Sequence, residues 1–259
     1  MSKFIGRLNR VAQANPKPMG FGQAELTPEK PKLLLVASLA QANVDGVADY
    51  MAGADAGLLP IDELSSGAKA IKQASQLVPD IPWGGWLRDI SQGEIKQMVK
   101  AGCDFVVFPA ANTSLATLQD GEVGKILEVE ASLIEGLLGA VNELPIDAVL
   151  IAGEKRKNYS LTWHHLMLFQ HFANLLTKPL LVSVPSNITA NELKVLWEAG
   201  VDSVMIEVGD EQSAARLKEL HQAIDKLVLP PRRRKTEALL PHISGETSPV
   251  TEEEEEEDL

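Results

Sequence analysis

The chain is expected to fold as an α/β protein, a closed (β/α)8 TIM barrel. Three observations point there: a helix–strand stretch that occurs twice, eight apolar runs alternating with helical patterns, and a suitable length. The first copy of the stretch, Ile90 to Phe108, reads ISQGEIKQMVKAGCDFVVF; the second, Ile188 to Ile206, reads ITANELKVLWEAGVDSVMI, 98 residues later. Ile90/Ile188, Glu94/Glu192, Lys96/Lys194, Ala101/Ala199, Gly102/Gly200, Asp104/Asp202 and Val106/Val204 recur in register. The expected strands are Leu33–Ala37, Ala56–Leu59, Ile81–Leu87, Phe105–Phe108, Ile126–Glu130, Ala148–Ala152, Leu180–Val184 and Ser203–Val208. Strands alternating with helices favour a parallel sheet, and 259 residues suit one barrel of about 250. A doubly wound open sheet is the alternative.

Taken in order, residues 2–13 read as a short basic amphipathic helix. Phe4, Ile5, Leu8 and Val11 share one face, while Lys3, Arg7 and Arg10 lie elsewhere. Such a helix packs on the barrel or plugs its N-terminal mouth; a partner or membrane-surface contact is the alternative. Asn15-Pro16-Lys17-Pro18-Met19-Gly20 then interrupts regular structure. The domain boundaries follow: residues 1–30 form a helix and linker, 31–229 the barrel, and 230–259 a charged tail.

Within the repeat, Ser91 and Thr189 each precede a Glu by three residues, the S/T-x-x-E capping box. Gly102 and Gly200 suit the left-handed position that ends a helix. The buried strands after them, Phe105–Phe108 and Val204–Ile206, are continuous apolar runs. The link after the fourth strand is short. Ala37-Ser38-Leu39 matches Ala131-Ser132-Leu133, and Asp55, Asp104, Asp147 and Asp202 open the even strands. The chain thus reads as two half-barrels, strands one to four and five to eight. Pro230-Pro231 stops the last helix. The basic run Arg232–Lys235 and acidic run Glu252–Asp258 make an acidic tail expected to be disordered.

The Ala-Gly-x-Asp turn into a strand and the half-barrel duplication resemble phosphate-binding (β/α)8 barrels, such as the histidine-biosynthesis isomerase and cyclase barrels and some flavin-binding barrels. The resemblance covers roughly Lys32 to Leu227 at the level of fold. It implies a site at the C-terminal ends of the strands, and a small phosphorylated or otherwise anionic metabolite. After the seventh and eighth strands the chain departs from the pattern. Pro185-Ser186-Asn187 and Gly209-Asp210-Glu211 replace a glycine-rich anion cradle, and two acids at a helix start repel phosphate.

A net charge of −12 argues against general nucleic-acid binding. No apolar run reaches the roughly 18 residues that span a bilayer. The N-terminus lacks a signal peptide's apolar core, so a cytoplasmic location is expected. The single Cys103 reads as a small buried hydrophobe rather than a nucleophile. No Walker loop, GxGxxG, zinc-ligand spacing or GxSxG elbow is present.

The candidate chemistry lies on the strand ends. Glu128 and Glu130 are two residues apart on the fifth strand and so share a face. The Ala-Ser-Leu alignment sets them against Leu34 and Val36. Glu207 on the eighth strand takes the place of Pro109 on the fourth. Burial beneath helices would desolvate these carboxylates, so they are expected inside the mouth, as acid/base groups or as ligands of a divalent cation. Salt bridges to Arg88 and Lys155 are the structural alternative. Trp83-Gly84-Gly85-Trp86 permits close approach of a ligand or backbone, with Trp86 as a stacking wall and Arg88 as an anion clamp; core packing is the alternative for both tryptophans. Lys155 and Arg156 belong to the basic cluster Lys155–Lys157 after the sixth strand, placed to attract an anion. His164 and His165 follow and make a poor metal pair, since neighbours on a helix point apart.

The functional expectation is a small-molecule-binding barrel. It would act as an enzyme on a small anionic metabolite by acid/base chemistry of lyase or isomerase type, with a divalent cation as candidate cofactor. The alternatives are a flavin-binding barrel oxidoreductase and a non-catalytic binding or assembly module, one that forms a homo-oligomer or meets a partner through the N-terminal helix.

Overall fold

The computed structural model describes residues 2–13, 32–39, 47–87, 95–115, 123–153, 159–209 and 211–230. The capping box at Ser91 and the tail beyond Pro230 lie outside the described residues. The elements run α1 (Lys3–Gln13), β1 (Leu34–Leu39), α2 (Val47–Tyr50), β2 (Ala56–Ile61), α3 (Leu64–Leu77), β3 (Trp83–Leu87), α4 (Ile95–Lys100), β4 (Phe105–Pro109), β5 (Gly124–Val129), α5 (Glu135–Glu143), β6 (Ala148–Ile151), α6 (Trp163–Leu175), β7 (Leu180–Ser183), α7 (Ala190–Glu198), β8 (Ser203–Val208) and α8 (Glu211–Lys226). The strands close in chain order into a parallel barrel. All eight expected strands are present. The first and fifth shift by one or two residues, and residues 110–115 contain no α-helix.

The register gives the barrel its type. From Ser38 the pairing runs to Leu58, Gly84, Phe105 and Gly124. From Leu34 it runs the other way to Ser203, Leu181, Leu150 and Glu128. The two routes leave β1 four residues apart and reach β5 four residues apart, a total stagger of eight, which is the shear of a TIM barrel. Phe105 and Gly84 face inward: the Phe105 ring lies 4.6 Å from Phe4 of α1, and a Cβ on Gly84 would strike that ring. A Cβ on Gly85 would instead meet Met98 of α4, so the alternate face lies beneath the helices. Trp83 is on that outer face, and its indole N–H donates to the Val78 carbonyl at the end of α3 over 3.1 Å. For Trp83, core packing is therefore the role the structure supports.

Four aspartates repeat one joint. Asp55, Asp147 and Asp202, each just before an even strand, accept the backbone N–H of Leu35, Lys125 and Leu180 on the preceding odd strand at 2.8–2.9 Å. Each also donates its own N–H to the same residue's carbonyl. A fourth, Asp104, makes the backbone half of this joint with Trp83, but its carboxylate turns to α1. It accepts the Ser2 hydroxyl at 2.7 Å and the N–H groups of Lys3 and Phe4 at 2.7 and 2.9 Å. Ser2 in turn accepts the Ile5 N–H. Three N–H groups that a helix start leaves unbonded are thereby satisfied. Gly53, Gly102 and Gly200, each two residues before one of these aspartates, hold φ of 97–100°, a region in which a Cβ is strained.

These joints correct the half-barrel alignment. Leu35 and Lys125 make the same bond, so the halves are offset by 90 residues on this strand, not 94. The true counterpart of Glu128 is Ser38, and the Ala-Ser-Leu match is coincidental. Because side chains alternate with period two, a slip of four preserves the face and misplaces only the depth. The plug reading of the N-terminal helix is the one observed: Phe4, Ile5, Leu8 and Val11 are buried, and α1 packs on Phe105 and Gly124 at the N-terminal mouth. Its apolar face is consumed within the molecule, which removes the partner contact expected there.

Candidate functional site

A stagger of one residue per strand, with alternating side chains, gathers the inward residues into layers of four from alternate strands. The lowest layers are Ala56, Phe105, Ala148 and Ser203, then Val36, Gly84, Ile126 and Leu181, then Leu58, Val107, Leu150 and Met205. All are buried, so the barrel is filled and closed below. The next layer changes character: Ser38, Trp86, Glu128 and Ser183. Above it the rim carries Pro60, Pro109 and Glu207. The register that defines these layers is continuous around all eight strands.

Trp86 and Glu128 meet in this layer across β4. The indole N–H donates to Glu128 Oε2 at 2.6 Å, a short bond of the kind an anionic acceptor makes. Both residues are half-buried. Trp86 therefore orients the carboxylate, in addition to any wall it offers a ligand. Ser183 is tied from above: the Tyr159 hydroxyl donates to its carbonyl at 3.1 Å. Glu207 faces inward on the rim, paired in register with Ser38, and its side chain is exposed.

The remaining expected residues separate. Glu130 lies past the end of β5, exposed, and accepts the Ser132 hydroxyl at 3.1 Å. Among the described residues no three His, Cys, Asp or Glu side chains gather to hold a metal ion. Glu128, Glu130 and Glu207 thus do not form the expected cation site; one is held by Trp86, one lies beyond its strand, and one is three strands away. Arg88, Lys155 and Arg156 lie outside the described residues. His165 closes a capping box on α6: its backbone N–H donates to Thr162 Oγ1, and its Nδ1 accepts the Thr162 N–H at 3.1 Å. The Thr189–Glu192 box on α7 is present as expected. After β8, the Gly209 N–H donates to Ser213 Oγ at 3.1 Å, so an amide that commonly meets phosphate is already engaged. Cys103 is buried, and burial pushes its thiol pKa up to about 12; its S–H donates to the Phe105 carbonyl.

Ser38 and Ser183 were not singled out from the sequence. A signal exists nonetheless. Each polar-layer residue follows by three the residue joined to an aspartate: Leu35 to Ser38, Trp83 to Trp86, Lys125 to Glu128, Leu180 to Ser183. Counting from the joints, not from local similarity, reads the layer directly.

No known family's model matches the chain, and no curated protein matches it. Solved structures resemble it in fold. A thiamine phosphate pyrophosphorylase from Pyrococcus furiosus aligns with TM-score 0.59 and 14% identity, over 76% of this chain and 98% of that one. KGPDC from Streptococcus mutans, in complex with a small phosphate-containing metabolite, aligns with TM-score 0.58 and 12% identity, over 74% and 98%. Tryptophan synthase from M. tuberculosis aligns with TM-score 0.58 and 12% identity, over 86% and 99%. At these identities the likeness establishes the TIM-barrel fold.

Proposed function

We propose that the C-terminal mouth binds a small anionic metabolite and that Glu128 moves a proton on it, in chemistry of lyase or isomerase type. The observation that carries this reading is the Trp86–Glu128 bond at 2.6 Å, in the first polar layer above a closed apolar interior. A carboxylate held through one oxygen keeps acceptor capacity for a substrate proton, and its orientation is set before a ligand arrives. Glu207 on the rim supplies a second carboxylate for the opposite proton transfer, with Glu130 beyond the strand end as a further polar contact. Arg88 follows β3, and Lys155 and Arg156 follow β6; by chain position they belong to this mouth and hold the anion. The occupied Gly209 amide argues for an anion held by these side chains and not by the β8 loop. Two of the structural neighbours carry the same sense: one is named for a phosphate ester, and one is in complex with a phosphate-containing metabolite.

One feature favours a second reading, an organic cation such as an amine. The described walls present Glu128, Glu207 and the Trp86 ring, and an indole face attracts cations. A thermal-shift panel of phosphorylated and carboxylated metabolites against amines separates the two, since a ligand of the folded state raises Tm. The expected result is a Tm rise with an anion that is lost in Arg88→Ala. Glu128→Gln should retain that rise while slowing solvent deuterium exchange into the ligand by about 10²–10⁴-fold. Stabilisation by amines alone, abolished in Glu128→Gln, would replace the first reading with the second.

A further inference from the structure

The outer face of the barrel carries an apolar groove between the first turns of α6 and α7. It is lined by Leu161, Trp163, Leu166, Val195 and Leu196, with Glu192 at its edge, and measures about 260 Å³. The helices touch lower down, where a Cβ on Gly200 would strike Ala173, and they splay toward the mouth. Trp163 is 81% exposed and Met167 beside it 68%. Large apolar side chains exposed together mark a surface that something covers. The groove is smaller than the roughly 300–1,000 Å³ of metabolite pockets, and suits one or two aliphatic side chains.

The geometry points to an occupant within the same chain: residues 238–243, Ala-Leu-Leu-Pro-His-Ile. Three features support it. The described chain ends against this element, because the Trp197 indole N–H of α7 donates to the Pro230 carbonyl at 2.9 Å. From Trp197 up α7 to the groove at Asn191 is six residues, about 9 Å at helical rise. The seven residues 231–237 span up to about 23 Å, so the segment reaches. Residues 238–243 hold the main apolar cluster of a charged tail, and the basic run Arg232–Lys235 just before them would pass the α7 carboxylates Glu198 and Glu192. Seating Leu239 and Leu240 beside Trp163 and Val195 buries apolar surface on both sides.

Paired cysteines test this in the full-length chain, because Cys103 is buried and stays out of the reaction. The V195C/L240C variant should form an intrachain disulfide under mild oxidation, joining the α7 and tail peptides in a monomer. The control K72C/L240C, on α3 across the barrel, should form it far more slowly. Equal rates for the two pairs would mean an undirected tail and overturn the proposal. A disulfide between two molecules would overturn it too, and assign the groove to a second copy. Without cysteines, hydrogen exchange gives an independent arm: truncation after Pro230 should remove amide protection at residues 161–167 and 191–196. Unchanged protection there would overturn the proposal as well.

Discussion

Glu128 and Cys103 mark the two extremes of how this barrel treats a reactive side chain. Glu128 sits where the interior opens, half-buried and oriented by an indole N–H. Cys103 sits under the helices, its thiol raised to about 12 chiefly by desolvation. A thiol with so little thiolate at neutral pH is a poor nucleophile. Cys103 should therefore stay unreacted toward a thiol-specific disulfide reagent in the native protein and react once urea unfolds it; rapid native labelling would contradict its burial. Both assignments were legible in part. Glu128 was found as a charge in an apolar strand, and its inward face followed from alternation. Its depth was not legible, because Ala37-Ser38-Leu39 and Ala131-Ser132-Leu133 are alike by chance. Only the bonds from Leu35 to Asp55 and from Lys125 to Asp147 fix that depth. Trp86 as donor to Glu128 was also out of reach, since it depends on strands 42 residues apart in the chain.

At the scale of elements, local signals were read well where their chemistry is local. Thr189 and Glu192 form the box their spacing announces, and Gly102 and Gly200 take positive φ. The Thr162–His165 box escaped because a histidine nitrogen stands in for the usual carboxylate or amide. The aspartate joints escaped for a different reason: the acids were noticed as strand openers, but their partners are on neighbouring strands. Asp104 is the informative one, with its carboxylate given to α1. Asp104→Ala would leave the Lys3 and Phe4 N–H groups without their acceptor and free the Ser2 hydroxyl. Charged hydrogen bonds and helix caps of this kind are each worth about 1–3 kcal/mol. The expected outcome is a loss of about 2–4 kcal/mol in urea unfolding, with hydrogen exchange accelerating first in residues 3–13. A loss spread evenly over the barrel would show that Asp104 supports β4 rather than the plug.

For the whole molecule, no described helix is long and apolar enough to cross a membrane. The ends of the barrel are tied together on the surface: Lys32, ahead of β1, pairs with Asp225 of α8 at 2.7 Å, and His221 approaches the same carboxylate at 3.3 Å. The hydrogen bond from Lys32, then its charge and that of His221, hold the Asp225 pKa below its ordinary value. A carboxyl depressed on folding stabilises above its unfolded value of about 3.9, and that contribution is lost as pH falls through the depressed folded value. The Tm gap between the wild type and Lys32→Met should thus be small but present at neutral pH and close on acidification; a gap that widens in acid would contradict the pairing. The architecture was legible because a barrel repeats itself, and repetition survives one mistaken alignment. The chemistry was less so, because a mouth is assembled from eight distant strand ends.

The carboxylate joints also predict how the protein would behave if it were made in two pieces. They bind β1 to β2, β5 to β6 and β7 to β8, and the backbone joint binds β3 to β4; none of these four bridges crosses from β4 to β5. A break between Leu115 and Val123 therefore severs the polypeptide while leaving each such bridge inside one fragment. The two fragments, mixed in equal amounts, should recombine into a complex with the circular-dichroism melt of the uncut chain. In that respect the molecule would behave as a non-covalent heterodimer whose linker happens to be peptide.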